Sequence, residues 1–275
     1  MSDVARLAEP ALELGGAGAG RGTPGGLPYL VEHWYLGPRV CRHMMVRRFR
    51  EVLAHADLAP GQRVLDVGCG WAYGTHWARA LGCAVTGIDL AHDQLAWARR
   101  ELPDGAGLGL AQANAKALPY RDATFDRVVS VETMEHVFRP DRAAVYAELA
   151  RVLKPGGRLA LSTPNEDSPI EAAKRLAVRW PALRRRLPSS CFPEASDDPA
   201  TYHPYRYHHP LPESQLTAGL AAAGFAVLGT TRFLWVPKTL PDGLLGLGLA
   251  AERTFESLPL VRWLGATLLV WAARR

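Results

Sequence analysis

From Arg63 onward the chain alternates short β-branched runs with longer stretches of helical period, and no other feature of its 275 residues constrains the fold as strongly. Strands joined through helices of this length form βαβ units, whose crossovers make neighbouring strands parallel. The runs RVLDV, AVTGI, LGLAQ, FDRVVSV and RLALST predict strands over 63–67, 84–88, 108–112, 125–131 and 158–163. Helical period between them predicts helices over 73–81, 92–101 and 140–153, the last stopped by a KPGG turn at 154–157. Two later strands, over 225–236 and 266–273, complete the pattern, and a helix over 212–223 ends at the glycine of AGF.

These elements define an α/β fold: a Rossmann-like doubly wound sheet, mostly parallel with one antiparallel edge strand, plus a lid insertion. Residues 63–165 and 211–275 are expected to form the core. Between them, 166–210 lose the alternation and become rich in Pro, Arg and aromatics. Long irregular segments inside a domain are usually lids or binding elements, so 166–210 are read as a substrate lid. Residues 27–62 read as an N-terminal helical cap. Residues 1–26 contain GGAGAGRGTPGG, which buries too little surface to order itself, and read as a mobile leader.

Bulk properties exclude several classes. The leader has no uninterrupted apolar core and carries Asp3, Glu9 and Glu13, so it is not read as a secretory signal. The longest apolar run near the C-terminus is short and broken by Arg262, unlike a membrane span. Cys41, Cys69, Cys83 and Cys191 form no CxxC pair, which argues against a zinc ribbon or a disulfide scaffold and suits a reducing compartment. A net charge of +5, with no recognisable nucleic-acid module, points away from nucleic acid as the partner. A cytoplasmic protein is expected; nothing in the sequence sets its oligomeric state.

The glycine loop carries the first functional signal. In VLDVGCGWAYG, Gly68 and Gly70 let backbone approach a ligand, and the helix that follows presents free N–H groups. A dinucleotide loop, G-x-G-x-x-G/A, would need Gly or Ala where Tyr73 stands. Asp66, two residues before Gly68, would repel a pyrophosphate but suits a cationic amino-acid group. Asp89 ends the second strand, about 20 residues past the loop, where a carboxylate accepts ribose hydroxyls. In QANA, the Asn114 side-chain oxygen can accept from an adenine amino group. All of these lie at the carboxyl ends of the strands, where such sheets bind ligands.

The stretches VLDVGCG, VTGID, NAKALPYRDATFDRVVS, ETMEHV and LARVLKPGGRLALSTPN together resemble class I S-adenosylmethionine-dependent methyltransferases, over about 64–165. The resemblance implies that Asp66, Gly68 and Gly70 hold the methionine moiety of S-adenosyl-L-methionine. It implies that Asp89 and Leu90 hold the ribose and cover the adenine, that Asn114 and Ala115 contact the adenine, and that Val131 and Glu132 floor the site. Ala72 stands where a third glycine is common, and Asn114 replaces the usual Asp.

ETMEH, at 132–136, follows the fourth strand and faces the same point. Glu132 can contact the cofactor or a water while Glu135 and His136 serve the turn. Alternatively His136 is a general base for a hydroxyl acceptor, since imidazole titrates in the right range. The E-x-x-E-H spacing also resembles the metal-binding motif of ubiquinone-pathway O-methyltransferases and of small-RNA 3′-end 2′-O-methyltransferases. That would place a divalent metal on Glu132, Glu135 and His136, with a further ligand among His203, His208 and His209. The base is ordered before the metal. The basic amphipathic stretch from Lys174 to Arg186 reads as a lid helix, or as a peripheral membrane contact; Trp34, Tyr35 and Arg39 of the cap can close over the cofactor. The expected activity is methyl transfer to a small-molecule oxygen on a phenolic, sugar or isoprenoid-linked acceptor, with Glu132 and His136 as catalytic residues. An N- or C-methyltransferase, or an inactive cofactor-binding regulator, stands as the alternative.

Overall fold

The strand pattern closes into one seven-stranded sheet in the order β3-β2-β1-β4-β5-β7-β6. The computed structural model describes residues 30–102, 107–178, 180, 207–258 and 261–275. The expected leader, most of the expected lid and His203 lie outside them. The strands are β1 (Arg63–Val67), β2 (Ala84–Asp89), β3 (Gly109–Gln112), β4 (Phe125–Val131), β5 (Leu153–Pro164), β6 (Phe225–Phe233) and β7 (Thr267–Arg274). The helices are α1 (Arg39–His55), α2 (Tyr73–Ala80), α3 (His92–Glu101), α4 (Arg142–Val152), α5 (Pro169–Val178), α6 (Glu213–Ala222) and α7 (Leu245–Ser257). A short π-helical turn, Val31–Tyr35, precedes α1.

β1 to β5 pair in parallel, while β7 runs antiparallel to both β5 and β6. The antiparallel strand therefore lies second from the edge, with β6 outside it. Burial on both faces explains the near-continuous apolar strands. Val64, Val129, Ala160 and Leu269 pack on the side of α1, α2 and α3. Leu65, Val128, Leu159, Leu161 and Val270 pack on the side of α4 and α6.

One local expectation fails. KPGG is not a separate turn, because α4 ends at Val152 and the backbone is already extended at Leu153, so Lys154–Gly157 lie inside β5. The residue before a proline disfavours helix, which extends Lys154, and Gly156 takes φ +72° beside a register shift between β4 and β5.

Helix α1 of the cap packs on one face of the sheet, and its Arg48 reaches Glu132 at the carboxyl end of β4. α1 presents Phe49 to Gly74, and its His43 and Arg47 meet the buried Glu252 of α7 at 3.0 and 3.5 Å. Glu252 also accepts from the N–H groups of Trp235 and Val236, tying α7 to the chain after β6. Asn165 at the end of β5 bridges Leu211, so the chain leaves for 166–210 and returns at neighbouring points. No helix among the described residues is long and apolar enough to cross a membrane.

Candidate functional site

The strand order reverses between β1 and β4, and sheets of this kind bind ligands at the crevice outside the carboxyl ends of the strands at that switch point. Asp66, the fourth residue of β1, is fully buried and accepts from Thr75 Oγ1 at 2.8 Å. Burial pushes its carboxyl from 3.8 up to about 7, against the opposing effect of the Thr75 hydrogen bond. The loop after it turns through three left-handed residues, Gly68, Gly70 and Ala72. Its first two N–H groups after β1, those of Gly68 and Cys69, both donate to Ile88 O, which pins the loop to the end of β2.

Asp89 is held by two backbone donors. The Gly70 N–H donates to Oδ2 and the Ala91 N–H to Oδ1, each at 2.8 Å. Each oxygen keeps a second lone pair. Leu90 is exposed beside it, and its carbonyl accepts from Gln112 Nε2. Asn114 Oδ1, expected to meet a base, accepts from its own turn at Lys116 N, 3.0 Å away. Ala115 follows, packed against the core under α4.

Val131 ends β4, and Glu132 turns the chain with φ +51°, a strained conformation for a non-glycine residue. Ser162 Oγ donates to Glu132 Oε1 at 2.9 Å, and Arg48 Nη2 lies 3.4 Å from Oε2. Met134–His136 form one turn of 3₁₀ helix. Glu135 is buried, with Thr163 Oγ1 donating to Oε2 at 3.2 Å. Burial first, then the charge of Glu132, raises its carboxyl well above the ordinary range.

His136 Nδ1 lies 2.7 Å from Tyr207 O. A carbonyl only accepts, so Nδ1 carries the proton and Nε2, 4.0 Å from Glu135 Oε1, is the ring's acceptor nitrogen. Of the three insertion histidines, His208 comes alongside, its ring 5.4 Å from that of His136. Its Nδ1 is buried without a partner, and burial followed by the proximity of His136 holds its pKa down to about 3. His209 turns to Arg139. Among the described residues no group of three or more His, Cys, Asp or Glu side chains converges closely enough to hold a metal in this arrangement.

Arg48 escaped the sequence reading. Besides facing Glu132, its Nε donates to Thr267 Oγ1 at 3.2 Å and its guanidinium covers the Trp34 ring at 5.3 Å. It sits in a run of arginines on α1 that reads as a solvated face, and no local pattern separates it from Arg47 or Arg50. Trp34 thus does approach the site, as support for Arg48. Arg39 instead lies on the outer face of α1 near Leu245. Ser162 and Thr163 likewise had no role assigned from sequence, being common residue types in a strand.

A parallel sheet with this crossover, a glycine loop after β1 and a ribose-type acid after β2 defines the class of nucleoside-binding α/β proteins. Comparison narrows the class. A family model described as a methyltransferase domain matches residues 65–161. A ubiquinone biosynthesis O-methyltransferase of Xanthomonas axonopodis pv. citri is 33% identical over 185 residues, covering 66% of this chain and 70% of that protein. The methyltransferase GfsG of Streptomyces halstedii is 41% identical over 122 residues, covering 42% of each chain. A crystal structure of an S-adenosylmethionine-dependent methyltransferase from Mesorhizobium loti matches with a TM-score of 0.56 at 23% identity, covering 82% of this chain and 96% of that one. The chain belongs to the class I S-adenosylmethionine-dependent methyltransferases. It spans about half the length of several curated relatives, 42% of GfsG and 50% of the Nitrosococcus oceani ubiquinone biosynthesis O-methyltransferase among them.

Proposed function

We propose that the protein transfers a methyl group from S-adenosyl-L-methionine to an oxygen of a small molecule of phenolic, sugar or isoprenoid-linked type. The observation that carries this reading is the placement of the Gly68–Gly70 loop, Asp89, Glu132 and His136 at the carboxyl ends of β1, β2 and β4, with the loop tied to Asp89 and the His136 ring oriented by Tyr207 O. When bound, the cofactor supplies an electrophilic methyl on a sulfonium. The residues fit it: Gly68 and Gly70 turn the loop tightly through left-handed φ, and two acids flank that loop, buried Asp66 in β1 and Asp89 at the end of β2.

In this reading Asp89 accepts the ribose hydroxyls on its two spare lone pairs, with its orientation already set by Gly70 and Ala91. Asp66 faces the methionine ammonium across the loop, and a cation there would favour its ionised form. Arg48, carried over the loop by α1, offers a positive group for the methionine carboxylate. Leu90, Asn114 and Ala115 line the adenine edge, and Val131 and Glu132 floor the transfer point. His136 Nε2 takes the acceptor's hydroxyl proton as oxygen attacks, while Tyr207 O holds the ring in the tautomer that can do so. Orientation of the two reactants lowers most of the barrier. Leu176 and Trp180, exposed on and after α5, support a lid that meets an apolar part of the acceptor in preference to a membrane contact.

The test is a screen of phenolic, sugar and isoprenoid-linked acceptors with methyl-labelled cofactor. Acceptor-dependent release of S-adenosylhomocysteine is the expected result. Binding without turnover on any acceptor would favour a regulatory protein, and labelled nitrogen or carbon products the alternative transferase.

A divalent metal is the second reading, and one observation favours it: the buried, unpartnered Nδ1 of His208 beside His136. Glu132, Glu135, His136 and His208 are the residues that would hold it, and it would supply Lewis-acid activation of the accepting oxygen. Elemental analysis of the protein against Glu132→Ala, before and after chelation, decides between base and metal.

A further inference from the structure

Gln94 stands in the first turn of α3, and its Oε1 is buried with no hydrogen-bond partner. A buried acceptor left unpaired costs about 1–3 kcal/mol, and an apolar residue would avoid that cost. The atom faces the glycine loop: a Cβ at Gly70 would stand 3.1 Å from it. Leu30 of the cap closes on the same point, its Cδ1 also 3.1 Å from that position. The N–H of this same Gly70 donates to Asp89 Oδ2. Gln94 from α3 and Asp89 from β2 therefore flank one glycine that must lack a side chain.

We propose that Gln94 is a further cofactor-binding residue, its amide oxygen accepting a hydrogen bond from a ribose hydroxyl alongside Asp89. The inference rests on the S-adenosylmethionine site proposed above. A ribose presents two vicinal hydroxyl donors. Asp89 spends one lone pair of each oxygen on the Gly70 and Ala91 N–H groups. A second acceptor beside it lets one hydroxyl share its donation between Asp89 and the Gln94 amide oxygen. A ribose hydroxyl donating to Gln94 Oε1 supplies the partner that this buried atom lacks within the protein, which gives selectivity for a ribose over a deoxyribose. No motif flags Gln94, because its role depends on where α3 starts relative to Gly70.

The test uses calorimetric titration of S-adenosylhomocysteine, and of its 2′-deoxy and 3′-deoxy forms, into wild type and Gln94→Met, with thermal unfolding of both unliganded proteins. Met fills similar space without an acceptor. The expected result is a 3–10-fold loss of affinity for S-adenosylhomocysteine, about one neutral hydrogen bond. One deoxy form, which already lacks the donor, should lose no more in the variant. The unliganded variant should be as stable as wild type or more so. Unchanged affinity with raised stability overturns the proposal, as does an equal loss for all three ligands. If wild type fails to bind S-adenosylhomocysteine, the site itself is refuted, a result distinct from any behaviour of Gln94.

Discussion

Gly68→Ala should destabilise the protein strongly, and most of the cost should be recoverable at Thr133. Gly68 has φ +73°, where a Cβ costs roughly 1–2 kcal/mol. The new methyl would also stand 2.2 Å from Thr133 Oγ1 and 2.4 Å from its Cγ2. Thr133 has little room to move, since it is β-branched and its hydroxyl lies 3.3 Å from Val67 O and 3.2 Å from Val131 O. Overpacking of this kind costs about 1–3 kcal/mol. The sum is roughly 2–5 kcal/mol, which for a domain of this size lowers Tm by the order of 10 °C. Denaturant unfolding of wild type, Gly68→Ala, Thr133→Gly and the double variant isolates the clash. The cycle should show a favourable coupling of about 1–3 kcal/mol, with the backbone cost remaining in the double variant. Strictly additive effects, or a Gly68→Ala cost under about 0.5 kcal/mol, would refute the packing of the loop against the turn after β4.

Asp66 gives the protein a pH dependence of definite sign. Its folded pKa, about 7, lies above its ordinary 3.8, so the protonated form is the one the fold favours. Its contribution is intact below pH 3.8 and is lost as pH rises toward 7, giving a fall of roughly 2–3 kcal/mol between pH 5 and pH 8 in the unliganded protein. Unfolding at the two pH values should show this slope in wild type and not in Asp66→Asn. Asp89→Ala removes the acceptor of two backbone N–H groups and of the proposed ribose contacts, and should weaken S-adenosylhomocysteine about 10–100-fold by calorimetry; unchanged affinity would exclude it from the site. His136→Gln should lower kcat by about 100-fold or more while leaving cofactor affinity near wild type, and retained turnover would remove the base.

The parts of the fold that sequence revealed are those written in local periodicity. β1 and β4 fall on the predicted residues and α3 does too, because apolar runs bounded by turns and a ten-residue amphipathic stretch need no distant partner to be recognised. KPGG misled because Pro and Gly suggest a separate turn, whereas the extended backbone of β5 takes them up as an irregularity between the Phe125–Leu153 and Arg127–Arg158 pairs. At the site, Asp66, Gly68, Gly70, Asp89 and Glu132 were legible because each sits next to a strand end within a recognisable motif. Arg48 and Gln94 were not. Each reaches the crevice from another element, and its neighbours in sequence say nothing about that.

Periodicity and motif alone determined the class of sheet and the two acids flanking the glycine loop, since these depend on residues a few positions apart. Tertiary structure alone decided which arginine of α1 meets Glu132, which histidine stands beside His136, and which nitrogen of His136 meets Tyr207 O. Those contacts join residues dozens of positions apart, and only the packing of α1 and of the chain entering α6 against the strand ends selects one partner from many chemically equal candidates.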